Sequence, residues 1–136
     1  MKAKYLQAYM DMLLRFAETS EAKRLKVAAC LIKDNNPITF GINGTPEGWY
    51  TNECEDQDGN TAWFTRHAEQ ACLDRMLKRT ESTEGCIMLV THAPCKLCAL
   101  RIKTAGITEV YYKHTYRDLT GVQYLLDNNV TVKQLS

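Results

Sequence analysis

The sequence predicts an α/β fold: a three-layer α/β/α sandwich around a mixed five-stranded sheet. Apolar residues recur at helical spacing in four segments and form short strand-like runs in five others. Each of the last three strand candidates is preceded by a helix candidate. A crossover between parallel neighbours needs about a dozen residues, which such helices supply. Strands three, four and five are therefore expected to run parallel, with helices on both faces of the sheet. A length of 136 residues fits one domain at roughly 100–200 residues each, so residues 1–136 are expected to form a single domain.

The first helix is expected where Tyr5, Tyr9, Met12, Leu13 and Phe16 recur at helical spacing. Thr19 and Ser20 end it. Lys26 to Asp34 reads as a buried strand, Asn35-Asn36-Pro37 as a turn, and Ile38 to Ile42 as the returning strand of a hairpin. A long polar loop follows from Gly44 to Thr65, carrying Glu47, Glu53, Glu55, Asp56 and Asp58. Loops of this length are usually functional or disordered. The second helix is expected over His67 to Arg79, with Cys72, Leu73, Met76 and Leu77 on its apolar face. Cys86 to Val90 reads as a strand buried on both faces. Cys95 to Ala105 reads as a helix that Gly106 ends. Ile107 to Tyr112 is the fourth strand, Asp118 caps the last helix, Asn128-Asn129 closes it, and Val130 to Leu135 is the last strand.

Composition excludes several classes. Apolar residues are 45% and charged residues 24%, ordinary for a globular chain. The formal charge is +1, whereas a polynucleotide binder usually shows a basic excess. No apolar run is long enough to span a bilayer, and no signal-peptide stretch follows the N-terminus. The expected location is cytoplasmic, with no nucleic-acid or membrane partner. Six cysteines are too sparse for a disulfide scaffold, and in a reducing compartment they read as core thiols or metal ligands.

Two clusters carry the chemistry: His67-Ala68-Glu69 and Pro94-Cys95-Lys96-Leu97-Cys98. Each sits where a loop enters an expected helix. One histidine and two thiolates give three ligands of a tetrahedral zinc and leave the fourth position for water, as a catalytic site requires. Two helix N-termini would then meet at one site, and their partial positive charge favours thiolates. Taken singly, these residues say little. A lone Cys-x-x-Cys serves redox, structural and catalytic sites alike, and lone histidines and glutamates are mostly solvated. Together, His-x-Glu and Pro-Cys-x-x-Cys are the zinc deaminase signature.

The sequence thus resembles the cytidine/deoxycytidylate deaminase superfamily, and within it most the dCMP deaminases. Arg24-Leu25-Lys26-Val27-Ala28-Ala29 is similar to the family's Arg-x-Lys-Val-Gly-Ala strand. Gly41-Ile42-Asn43-Gly44-Thr45-Pro46-Glu47-Gly48 is similar to its Gly-Tyr-Asn-Gly-Thr-Pro-x-Gly loop. The likeness runs from about Ser20 to Asp118. The chain departs at Ala28 for glycine, at Ile42 for tyrosine, at Glu53 (which separates Asn52 from Cys54) and at Ala93 for serine.

The resemblance implies a cytidine deaminase-like fold and hydrolytic deamination of dCMP to dUMP and ammonia, with one catalytic Zn2+ held by His67, Cys95 and Cys98. It implies that Glu69 shuttles the protons, the Ala68 N–H meets the pyrimidine O2, and Asn43 holds the deoxyribose 3′-hydroxyl. Tyr116 resembles the aromatic that packs on the base; a core tyrosine is the other reading. Arg24 is the first candidate for the 5′-phosphate, ahead of Arg66 and Arg117. Cys54 is a weak candidate for a second zinc site. His92 and His114 flank the site in sequence; lining the cleft is one reading of either, and a structural role is the simpler one. The family implies a homo-oligomer, with hexamers among its assemblies, and ties the Asn-Gly-Thr-Pro loop to dCTP and dTTP effectors. Two rivals stand beside this reading. One is a deaminase of another free base, nucleoside or nucleotide, such as cytidine, guanine or dCTP. The other is a non-catalytic zinc-stabilised interaction domain.

Overall fold

A central strand covered by helices on both faces should carry almost no polar side chains. In the computed structural model, which describes residues 1–136, the first strand, β1 (Ala28–Lys33), is buried at every position before Lys33. Around it the elements follow in the order α1 (Ala3–Ala17), β1, β2 (Asn36–Ile42), α2 (Ala68–Asp74), β3 (Ile87–His92), α3 (Lys96–Thr104), β4 (Glu109–His114), α4 (Thr120–Asp127) and β5 (Thr131–Gln134). One sheet contains all five strands in the order β2-β1-β3-β4-β5. β1 pairs antiparallel with β2 and β3, while β3, β4 and β5 run parallel.

Alternation along the strands divides the core. Ala29, Leu31, Met88, Val90, Val110 and Tyr112 face α2, α3 and α4. Ala28, Cys30, Ile32, Leu89 and Tyr111 face α1. The stripe of α1 that meets them is Leu6, Met10, Leu13 and Ala17, and each large apolar side chain buried there contributes about 1.5–3 kcal/mol. This stripe is offset from the one expected. Tyr5 and Met12 remain about half exposed, at 48% and 54%. Helical spacing fixes the period and leaves the phase open when apolar residues occur on adjacent stripes.

The second helix is shorter than its apolar pattern suggests. After Asp74 the hydrogen bonds tighten to three-residue spacing, with Met76 N–H donating to Leu73 O and Leu77 N–H to Asp74 O. Met76 still reaches the core, but Leu77 is 81% exposed. The hairpin turn lies one residue earlier than expected. Asp34 and Asn35, at φ +51° and +67°, link the paired residues Lys33 and Asn36. Positive φ at both positions gives the turn twist that hairpin strands require. Pro37 is tolerated because β2 is an edge strand with a register shift opposite it.

Helix ends follow the sequence closely. Gly106, at φ +81°, follows α3; its N–H donates to Lys103 O and that of Ile107 to Ile102 O, the double bond of a glycine-terminated helix. The Asp118 carboxylate accepts from the N–H and hydroxyl of Thr120 at the start of α4. No helix is long and apolar enough to cross a membrane.

Two close approaches place the chemical segments. A Cβ on Gly41 of β2 would lie 2.5 Å from Ala68 O and 2.6 Å from Cys72 N, so α2 rests directly on the β2 backbone. A Cβ on Gly121 of α4 would lie 2.6 Å from Pro94 O and 2.7 Å from the Cys95 carbonyl. Each helix that begins with a candidate ligand is thus seated against a glycine.

Candidate active site

His67 and Cys95 are the residues immediately before α2 and α3. Gln70 fixes the first by accepting a 2.8 Å hydrogen bond from the His67 N–H through its Oε1. Cys98 sits one turn into α3. The His67 Nδ1 lies 3.5 Å from Cys95 Sγ and 3.3 Å from Cys98 Sγ, and all three donor atoms fall within 4.8 Å of one another. A tetrahedral zinc with Zn–S of about 2.3 Å and Zn–N of about 2.0 Å would space nitrogen and sulfur roughly 3.5 Å apart. The donor set and its spacing therefore fit zinc. No second group of this kind exists; Cys54 is buried with its thiol against Asn52 O.

Electrostatics at the site follow from burial and shared protons. The Cys98 thiol bonded to Cys95 pulls the Cys95 thiol down to about 3, where it is a thiolate. The same bond, together with burial, drives Cys98 strongly upward. The Cys95 contact also raises His67. Glu69, in the first turn of α2, is only 5% exposed, and its carboxyl lies against Cys98. Burial pushes its pKa up to about 7, the range in which a carboxyl can both accept and return a proton at neutral pH.

His67, Glu69 and Cys95 open onto a cleft of about 450 Å³ lined also by Arg24, Leu25, Asn43, Arg66, Ala68, His92, Ala93, Tyr116 and Arg117, among others, with Cys98 buried behind them. The volume suits a small molecule. Sequence reasoning brought Arg24, Asn43, Ala68 and Tyr116 to this region, and all four line it. Ala68 starts α2, where the first N–H groups have no partner within the helix. Tyr116 is 37% exposed, so it is no core tyrosine.

The arginines differ from one another. Arg66 is held by Asp74 at 3.0 Å and Glu47 at 3.2 Å, so carboxylates already meet its charge. Its Nε is the one buried side-chain nitrogen or oxygen without a partner. Arg24 and Arg117 line the cleft and make no ion pair.

Asn43 has a structural task that the motif did not reveal. Its Oδ1 accepts from Val27 N–H at 2.8 Å and its Nδ2 donates to Leu25 O at 2.6 Å. Ser20 Oγ donates to the Asn43 carbonyl at 2.7 Å. Asn43 thereby fixes the segment that carries Arg24. The polar loop after β2 is also ordered. Its ends pair through Gly44 and Arg66, a second bridge joins Glu55 to Thr61, and Trp49, Tyr50, Trp63 and Phe64 stack at centroid distances of 5.2–6.0 Å. His92, for which the sequence left a place in the cleft open beside the favoured structural role, also lines the cleft. Its signal was its position at the end of a strand that leads directly into the Pro-Cys segment.

Comparison with known proteins agrees with this geometry. Residues 3–114 match the model of the cytidine and deoxycytidylate deaminase zinc-binding region. The chain is 33% identical over 135 residues to ComE operon protein 2 of Bacillus subtilis, covering 95% of this chain and 70% of that one. It is 30% identical over 111 residues to human deoxycytidylate deaminase, covering 76% of this chain and 61% of that one. Its fold superposes with a TM-score of 0.95 and 40% identity on the dCMP deaminase of cyanophage S-TIM5, solved in complex with dCMP and dUMP, across 99% of both chains. A matched family model over most of the chain, and a metal-fitting donor set within the matched segment, make this chain a member of the cytidine and deoxycytidylate deaminase family.

Proposed function

We propose that this protein is a zinc-dependent hydrolase that converts dCMP and water to dUMP and ammonia. The observation that carries the reading is the convergence of His67, Cys95 and Cys98 with the buried Glu69 at the wall of one cleft, in a chain sharing its fold and 40% of its residues with a dCMP deaminase solved with dCMP and dUMP. His67, Cys95 and Cys98 would hold the zinc, which would supply the Lewis-acid chemistry that makes hydroxide available near neutral pH for addition at C4 of cytosine. Glu69 takes the proton released by the attacking water and delivers it to N3, then takes the proton of the new C4 hydroxyl and delivers it to the amino group, which leaves as ammonia while the C4 carbonyl forms. Such proton transfers contribute about 10²–10⁴-fold. The Ala68 N–H donates to the pyrimidine O2. Tyr116 packs on the base. Asn43 reaches the sugar 3′-hydroxyl with the amide hydrogen left over from its bond to Leu25. Arg24, which lines the cleft next to the Asn43-held Leu25, meets the 5′-phosphate, with Arg117 as the other cleft arginine without an ion pair.

The protein acts in the cytoplasm as a homo-oligomer, with a hexamer as the larger assembly, and dCTP and dTTP are its candidate effectors. A zinc-stabilised interaction domain would have no use for a carboxyl buried beside the ligands, which disfavours that rival. The test is ammonia release by zinc-loaded protein from dCMP, deoxycytidine, cytidine, CMP, dCTP, guanine and a cytosine-containing single strand, with and without dCTP and dTTP. The highest kcat/KM is expected on dCMP. A higher value on another substrate would keep the chemistry and overturn the specificity. Silence on every substrate would overturn the enzyme reading.

A further inference from the structure

Thr91 and His92 end β3 beside the candidate ligands, and their hydrogen bonds leave one consistent arrangement of protons. Thr91 is fully buried, so its hydroxyl must find partners within the protein. Its Oγ1 accepts the Ala28 N–H at 3.1 Å. A hydroxyl also carries one proton to donate. The acceptor available to it is His92 Nδ1, also at 3.1 Å. An Nδ1 that accepts carries no proton, so the ring is neutral and its hydrogen is on Nε2. The surroundings agree with a neutral ring. Burial and the neighbouring His114, with ring centroids 4.9 Å apart, hold the His92 pKa below its usual value. His92 Nε2 has no partner within the protein and is not a buried orphan, and the residue lines the substrate cleft.

We propose that the chain from Ala28 N–H through the Thr91 hydroxyl fixes His92 as the Nε2–H tautomer, and that this N–H donates to an oxygen of the bound nucleotide. His92 is then a substrate-binding residue for the reaction proposed above, on which this inference rests, and Thr91 is its positioning residue. The acceptor is a phosphate oxygen or an oxygen of the pyrimidine ring; both accept from a neutral N–H.

Two measurements test it. The first needs no turnover: long-range proton–nitrogen correlation on zinc-loaded protein with 15N-labelled histidine, with His92 assigned from the spectrum of H92Q. Neutral Nε2–H at pH 7 is expected. An imidazolium, or the Nδ1–H form, would overturn the proposal. The second is the kinetics of H92L and H92Q. An amide places an N–H close to where Nε2–H was, while leucine offers none. H92L is expected to raise KM for dCMP roughly tenfold, the scale of one lost hydrogen bond, with kcat changed less, and H92Q to restore most of it. If the rise vanishes with deoxycytidine as substrate, the acceptor is the phosphate; if it persists, the acceptor is on the base. Equal KM for wild type, H92L and H92Q would overturn the contact. T91V supplies a further check, since it should mix the tautomers in the same spectrum while retaining zinc. Absence of deaminase activity in the wild type would instead overturn the proposed function, an outcome distinct from failure of the variants on an active enzyme.

Discussion

A carboxyl group 5% exposed beside two sulfurs costs stability unless its environment uses it. Glu69 is such a group, and it is placed to carry protons rather than to hold metal, since the three ligating atoms are supplied by His67, Cys95 and Cys98. E69Q is expected to lower kcat by at least about 10²-fold while metal analysis still finds one zinc per chain. A variant that keeps its turnover would remove Glu69 from the mechanism. Arg24 makes a different prediction. Without an ion-pair partner, it is free to meet an anion. R24A should raise KM for dCMP about tenfold or more, because hydrogen bonds between charged groups are the stronger kind, and leave KM for deoxycytidine nearly unchanged. At this scale the motif pointed to the residues that the fold brings together but not to their supports. His-x-Glu and Pro-Cys-x-x-Cys have fixed spacings along the chain. The bonds of Asn43 to Leu25 and Val27, and of Thr91 to Ala28, join residues that only the folded sheet brings together.

At the scale of elements, α2 and α3 matter for where they begin. Gly41 lets α2 lie on the β2 backbone, with a would-be Cβ 2.5 Å from Ala68 O. G41A should cost about 1–3 kcal/mol through overpacking, lowering Tm, and it should weaken zinc retention because the displaced helix starts with His67 and Glu69. Normal zinc affinity in a destabilised G41A would show that the helix start is held by other contacts. The start of α4 gives a pH prediction. Its capping bonds hold the Asp118 carboxyl below its usual value. A depressed folded pKa gives stability that is complete above the unfolded value, near 4, and is lost as pH falls through the lower folded value. Thermal melts of wild type and D118A should therefore differ at pH 7 and converge as the pH falls below about 4. Caps and crossovers were legible because glycine, asparagine and aspartate act locally at helix ends. The phase of α1 and the early end of α2 were not, since the sheet surface selects which apolar stripe is buried and how far a helix continues.

At the scale of the molecule, one sheet and two cores hold both ligand-bearing helices against the same cleft. Zinc that binds only this folded arrangement stabilises it by mass action, by about 4 kcal/mol at a free concentration a thousandfold above Kd. Chelation should lower Tm by roughly 10 °C or more in a domain of this size, and an unchanged melt would mean the metal is not tied to the fold. The parallel topology was legible from the alternation of helix and strand. The ordered loop over residues 44–65 was not, because stacked aromatics and two isolated bridges hold it, and neither leaves a periodic trace. The same topology sorts the backbone into two poles. Asp34 and Asn35 after β1, Gly85 before β3, Gly106 before β4 and Asn129 before β5 all adopt positive φ. Antiparallel β1 therefore puts its turn at the pole where the parallel strands start, while Pro94, Cys95, Tyr116 and Arg117 follow the opposite strand ends. The turn pole offers a chemically quiet handle: a fluorophore or surface tether attached at exposed Asn35 would report on or immobilise the enzyme with the cleft facing away from the support.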